Sequence, residues 1–244
     1  MVDETLVNNY TQEDDWQLHW TNFKPYVVTK SNLEGLCKDF PINGNFIEIG
    51  GFPGVFSIYF KKQFSYNVYL LDYIIIPEIL QEMERVNNLP KGSINQIKTD
   101  FFNYTTEKKF EVVFSYGFIE HFEDIEGVIQ RHVDLLSEKG RLLIVLPNLK
   151  GMSGLFLKLT DPELYKKHNL KSMDVNLLNE ICQKIGLKNI EVGLYGKPHI
   201  WINSSSRFDS KFVRLFIKYF NGISQRILIK NKLMSPLIYI KAFK

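Results

Sequence analysis

Residues 45–60, NFIEIGGFPGVFSIYF, restrict what this chain can fold into more than any other stretch. Phe46 to Ile49 is a short apolar run that reads as a buried strand with Glu48 near its end. Gly50, Gly51 and Gly54 predict a tight turn, and Val55 to Phe60 a helix leaving it. Glycine suits such a turn because it tolerates positive φ and lets another backbone or a ligand approach closely. In an open α/β sheet, this unit puts a carboxylate and a helix N-terminus at the carboxyl edge, where such folds bind ligands.

The pieces that follow alternate in kind. Asn67–Leu71 ends at Asp72, and Pro77–Val86 then has the pattern of a helix. Ser93–Lys98 leads to Asp100, and Phe110–Ser115 is followed by a helical pattern over Ile125–Ser137. Arg141–Leu146 is a strongly apolar strand between the Lys139-Gly140 turn and Pro147. Met173–Ile185 carries apolar residues at helical spacing and stops at Gly186, a suitable C-cap. Ile190–Leu194 and Pro236–Phe243 complete a set of seven strands. Strands alternating with helices predict a Rossmann-like α/β fold: a mostly parallel seven-stranded sheet flanked by helices. Residues 1–43, with Trp16, Trp20, Phe23 and Tyr26, read as an N-terminal helical cap whose aromatics close one side of the core or lid a site. Residues 44–244 then form one domain, with a helical insertion at about 196–233 before the last strand.

A chain of 244 residues can bury one full core. Its net charge of +3 is too small to imply nucleic acid as a partner. Cys37 and Cys182 have no metal or redox spacing, and no Cys/His cluster suggests a metal. With no basic leader followed by an apolar core, and no apolar run of the ~18 residues needed to span a bilayer, a cytoplasmic setting is expected.

Four features fall in order at the expected carboxyl edge. Glu48 with its glycine turn comes first. Asp72 follows at the end of the second strand, where a carboxylate can accept from both ribose hydroxyls. Asp100-Phe101 follows the third strand and suits an adenine edge and face. The run Phe114-Ser115-Tyr116-Gly117-Phe118-Ile119-Glu120-His121-Phe122 follows the fourth.

These motifs resemble those of the class I S-adenosylmethionine-dependent methyltransferases, particularly the small-molecule group with a Glu-His pair after strand four. EIGGFPG is similar to that family's acid-x-Gly-x-Gly-x-Gly loop, FEVVFSYGFIEHF to its fourth-strand motif and EKGRLLIVLPN to its fifth. The resemblance covers about residues 45–150. It implies S-adenosylmethionine as cofactor. Glu48 and the backbone at Gly50, Gly51 and Gly54 would hold its amino-acid end, Asp72 the ribose, with Tyr73 beside the adenine. Asp100 and Phe101 would meet the adenine, Ser115 and the backbone near Tyr116 would lie under the sulfonium, and Glu120 and His121 would line the boundary with the methyl acceptor. Phe52 stands where the family has its middle glycine, so its ring must point away from the cofactor. A Phe52→Gly change is expected to leave the fold intact.

His121 is the first candidate for a catalytic base and His199, in YGKPHIW, the second. His19, His132 and His168 are expected at the surface. Between Phe208 and Lys232, the apolar run FVRLFIKYF carries Lys211, Arg214 and Lys218 on one side. It is either a lid or membrane-docking amphipathic helix, or a core-packed helix with a solvated basic stripe. The expected activity is methyl transfer to an O or N atom of a small-molecule acceptor, with no nucleic acid partner and with peripheral membrane contact through 208–232 left open. The alternatives are a membrane-surface or partner-binding protein with a degraded cofactor site, and a methyltransferase for a lipid-linked substrate.

Overall fold

The computed structural model describes Trp20, residues 23–202, Ser206, residues 208–224, Arg226 and residues 230–244. Seven strands form one sheet: β1 (Asn43–Ile49), β2 (Ser65–Asp72), β3 (Ile94–Lys98), β4 (Phe110–Tyr116), β5 (Leu136–Pro147), β6 (Lys188–Tyr195) and β7 (Leu237–Phe243). Their order is β3-β2-β1-β4-β5-β7-β6. All neighbours are parallel except β7, which runs antiparallel to both β5 and β6. The predicted fold class is correct, and each predicted strand is present.

Parallel neighbours need a crossover connection, and helices supply it. α1 (Val55–Gln63) joins β1 to β2, α2 (Pro77–Val86) joins β2 to β3, and α3 (Ile125–Leu135) joins β4 to β5. Between β5 and β6 lie α4 (Met152–Thr160), α5 (Pro162–Lys166) and α6 (Val175–Lys184), and α7 (Lys211–Ser224) precedes β7. Local chemistry sets the boundaries. Asp124 caps α3 by accepting from the Gly127 amide at 2.8 Å, and Pro77 opens α2.

Strand side chains alternate between faces, and the core is split accordingly. Ile47, Ile49, Val113, Leu142 and Ile144 pack with α3 and α6 residues on one face. Phe46, Val68, Leu70, Val112, Phe114 and Val145 pack with α1 and α2 residues on the other. The chain leaves β1 in one direction through β2 and β3, then returns to start β4 on β1's other side. That reversal opens the crevice at the carboxyl ends of β1 and β4, the place where such sheets bind ligands.

Two expectations need correction. The expected N-terminal helical cap is helical at Trp20, but over residues 23–42 it is a strap with one 3-10 turn, Glu34–Leu36. Pro25 and the β-branched Val27, Val28 and Thr29 disfavour helix there. The strap is pinned by Asn87, which accepts from the Val28 amide at 2.7 Å and donates to the Tyr26 carbonyl at 3.0 Å. Trp16 and the rest of 1–19 lie outside the described residues. The second correction concerns His132, expected at the surface. It is fully buried on the inner face of α3 with Ile125, Val128 and Ile129.

Candidate active site

The turn after β1 is drawn tight by backbone bonds, Gly50 N–H to the Leu71 carbonyl at 2.8 Å and Gly54 N–H to the Gly51 carbonyl at 2.7 Å. Gly50 and Gly54 both have positive φ, +65° and +87°. A Cβ on Gly51 would overlap the Glu48 carboxyl group, so only glycine fits there. Glu48 is buried behind the turn, where its Oε2 accepts from the Ser57 amide at 2.7 Å and hydroxyl at 2.5 Å. Burial pushes its pKa up to about 8 against the pull of those two bonds. Its carboxyl therefore braces the start of α1 and the turn together.

Asp72, at the end of β2, is tied to the same turn. Its Oδ2 accepts from the Phe52 amide at 2.9 Å and its Oδ1 from the Ile74 amide at 3.0 Å. Desolvation raises its pKa to about 6 although these amides favour the charged form. Tyr73 beside it is exposed. Asp100 accepts from the Phe102 amide at 2.7 Å. The three acids and the turn thus line up along β1, β2 and β3 as expected. Carboxylate acceptors at the ends of β2 and β3, beside an exposed aromatic ring, are suited to accept from the hydroxyls and the amine of a nucleoside.

Two predicted contacts are placed differently. Phe101 is buried, its ring centroid 4.9 Å from that of His132 and 5.4 Å from that of Phe118, so its face is covered by protein. Ser115 is also buried, because strand alternation turns it toward α3, 3.1 Å from His132 Nε2. His132 Nδ1 lies 2.8 Å from the Val128 carbonyl, which makes Nδ1–H the donor and Nε2 the acceptor of the Ser115 hydroxyl. Burial lowers the His132 pKa to about 4, so this imidazole is neutral near pH 7. Ser115 accordingly holds the end of β4 on α3, leaving Tyr116 to face the crevice.

Phe52 resolves the departure from the glycine pattern. Its ring is buried in the β1–α1 cluster with Trp20, centroids 5.2 Å apart, while its amide serves Asp72. Phe52→Gly is therefore expected to destabilise the protein by about 3–5 kcal/mol, the range for removing a buried Phe side chain. The sequence-based expectation of an intact, indifferent fold is reversed. Urea unfolding measures this, and wild-type stability would place the ring outside the core.

A cavity of about 660 Å³ opens beside Tyr116 at the carboxyl ends of β4, β5 and β6 and the amino end of β7. Its walls include Asn32, Ser153, Tyr195, Trp201, Lys230 and His199. Of the two histidine candidates, His199 lines this cavity, and burial lowers its pKa, which favours the neutral imidazole. His121 lies outside the lining and faces His168, with ring centroids 5.1 Å apart. Burial, then His168, lowers the His121 pKa to about 4. His168, expected at the surface, is half-buried there. Glu120 is buried, with its pKa raised by desolvation to about 8. The sequence pointed to His199 through YGKPHIW, but not to Tyr195 or Trp201 beside it, and Asn32 and Ser153 carry no local signal. The fold also gathers Glu120, His121 and His168 into one group, which their spacing in the sequence does not show.

A sequence profile described as a methyltransferase domain matches residues 26–192. Malonyl-[acyl-carrier protein] O-methyltransferase 1 of Ilyobacter polytropus is 27% identical over 192 residues, 77% of this chain. That match spans 66% of the relative, a little under two thirds of its length. A SAM-dependent methyltransferase from Archaeoglobus fulgidus superposes with a TM-score of 0.57 at 17% identity, over 94% of this chain and 99% of the other. Haemonchus contortus phosphoethanolamine N-methyltransferase 2, solved with S-adenosyl-L-methionine, gives a TM-score of 0.57 at 19% identity, over 87% of this chain and 52% of the other. The glycine turn, the acids that follow it and the crevice beside them are where a nucleoside cofactor would sit on this sheet, and the profile covers most of the chain. The chain belongs to the methyltransferase-domain family, among the class I S-adenosylmethionine-dependent methyltransferases.

Proposed function

We propose that the chain transfers a methyl group from S-adenosylmethionine to an O or N atom of a small amphiphilic acceptor, one with an apolar part, taken from an anionic membrane surface. The observation that carries this reading is the outward face of α7. Phe212, Leu215, Phe216, Tyr219 and Ile223 form a continuous exposed stripe, with Phe212 86% exposed. Lys211 and Lys218 flank it, while Arg214 is matched by Asp209 at 2.5 Å. An apolar stripe with a basic flank suits the boundary between acyl chains and anionic headgroups. The reading of α7 as a core-packed helix with a solvated basic stripe is not the one this exposure supports. No helix among the described residues is long and apolar enough to cross a membrane, which fits contact from one side.

The helix is also fastened to the cavity rim. Asn221 exchanges two bonds with the Ile200 backbone, at 3.0 and 2.8 Å, and the Ser224 hydroxyl donates to the Pro198 carbonyl at 2.6 Å. His199 lies between those two anchors and its carbonyl accepts from Ser153 at 2.7 Å. An acceptor lifted from the surface under α7 would thus meet His199 and Tyr116 in turn. The cofactor, when bound, supplies an electrophilic methyl on a positively charged sulfur, and the reaction is a displacement in line with it. The protein's tasks are alignment and exclusion of water. Asp72 and Asp100 would hold the nucleoside end and the Gly50–Gly54 turn the amino-acid end. His199 would take the proton from a hydroxyl acceptor, and a neutral amine would need no base. The buried thiols of Cys37 and Cys182 suit a reducing cytoplasmic face.

The test is a methyl-transfer screen with labelled S-adenosylmethionine, using membrane lipid extracts and aqueous metabolite pools side by side. Labelled product confined to the lipid extract is the expected result. Product found only in the aqueous pool would overturn the acceptor class. Failure to bind S-adenosylhomocysteine in calorimetry would instead favour the non-enzymatic alternative on a degraded site.

A further inference from the structure

We propose that Glu120, His121 and His168 form a binding site for one divalent transition-metal ion, best matched by Zn²⁺, at the carboxyl end of β4. One ligand atom from each residue lies within 4.8 Å of the other two. Two imidazoles and one carboxylate are the donors that Zn²⁺ and its neighbours in the first row prefer, with a position left for water.

The histidines are oriented as ligands would be. His121 Nδ1 lies 3.3 Å from the Lys167 carbonyl and His168 Nδ1 2.8 Å from the Leu164 carbonyl. A carbonyl can only accept, so each Nδ1 carries the proton and each Nε2 keeps its lone pair. Backbone carbonyls on the far nitrogen are a common way to fix the tautomer of a metal-binding imidazole.

A second observation is independent of the histidines. Glu120 is almost wholly buried, and its Oε2 has no hydrogen-bond partner. Buried polar atoms are rarely left so, because the lost solvation is costly unless something replaces it. A cation shared by the three side chains would replace it. The surrounding backbone holds the group together across the fold. Asn169 donates its amide to the Glu120 carbonyl at 2.7 Å and its side chain to the Phe122 carbonyl at 2.8 Å, which clamps the His168 turn onto the segment carrying the other two residues. Glu120, His121 and His168 all lie outside the lining of the acceptor cavity, so metal binding here does not depend on which acceptor is methylated.

The experiment uses the full chain stripped with a chelator, then given ZnCl₂ or CoCl₂ alone. The expected result is about one ion per chain by mass spectrometry after gel filtration, with visible absorption from the Co²⁺ form that reports low-coordinate nitrogen and oxygen ligation. Glu120→Gln and His168→Ala should each weaken Zn²⁺ binding at least tenfold, and His168→Ala should still bind S-adenosylhomocysteine. Should His168→Ala fail to fold, His168→Gln replaces it with a residue of similar reach. Loss of the ion on gel filtration, or variants that bind Zn²⁺ as the wild type does, would overturn the proposal.

Discussion

Asp72→Ala is expected to lower affinity for S-adenosylhomocysteine by about 10- to 100-fold, since hydrogen bonds to a charged group contribute about 1.5–3 kcal/mol and 1.4 kcal/mol is a factor of ten. Two losses combine. The acceptor for the ribose hydroxyls disappears, and so does the link between β2 and the glycine turn through the Phe52 and Ile74 amides. The pH dependence has a definite sign. In the free protein Asp72 titrates near 6 instead of 3.8, so the carboxylate is progressively protonated as pH falls from 7 toward 5. A protonated carboxyl is a poorer acceptor, and wild-type affinity should fall over that range while the Asp72→Ala profile stays flat. Stability without cofactor should respond oppositely. The folded state binds this proton more tightly than the unfolded chain, so Asp72's contribution is complete below 3.8 and is lost as pH rises through 6. Calorimetry from pH 5 to 8, with melts at each pH, measures both. Wild-type affinity in a folded Asp72→Ala protein would remove this residue from the cofactor site.

The double change Phe212→Ser with Phe216→Ser should reduce binding to anionic vesicles by about a hundredfold or more, since each fully buried Phe contributes about 1.5–3 kcal/mol. The melting temperature should barely move, because both rings are exposed in the free protein and surface changes usually stay within about 0.5 kcal/mol. Wild-type binding should fade as salt rises, through screening of Lys211 and Lys218, and should be weaker on neutral vesicles. Sedimentation with vesicles of each composition gives the answer. A wild-type chain that stays in the supernatant, or a double variant that pellets equally, would sink the docking role of α7.

The strands were legible because each is an apolar run closed by a turn signal or an acid, and buried parallel strands need little else. α4 and α5 left no clear pattern. Gly154 lies inside the first, and Asp161-Pro162 interrupts the series where the second begins. The acids at the strand ends were legible for the same reason as the strands. Ser115 and Phe101 were not, since a motif gives a position along the chain but not the face a side chain takes. His132 could have been found: it continues the Ile125, Val128, Ile129 series at helical spacing, and only its polarity argued for the surface. His168 could not, because its nearness to His121 arises from the folding of the connection between β5 and β6. In α7 the sequence is apolar around much of the helix. Val213, Ile217 and Phe220 are partly buried while Phe212, Leu215 and Phe216 are not, a choice made by the loop at Ile200 that anchors Asn221.

The antiparallel pairing of β6 and β7 sets how freely the outer part of this protein can change. Tyr195 and Leu237 face each other in register at the end of that pair. Everything from residue 196 to 236 leaves and rejoins the sheet at a single point, where antiparallel strands could be closed by a two-residue turn. The parallel crossovers allow no such freedom, because each must span the sheet and cover its face. The helix proposed to dock, α7, therefore lies in a segment grafted on a hairpin. Its length can change without moving the β1–β4 crevice, but because His199 lies within it, a change of partner there also reaches the proposed base.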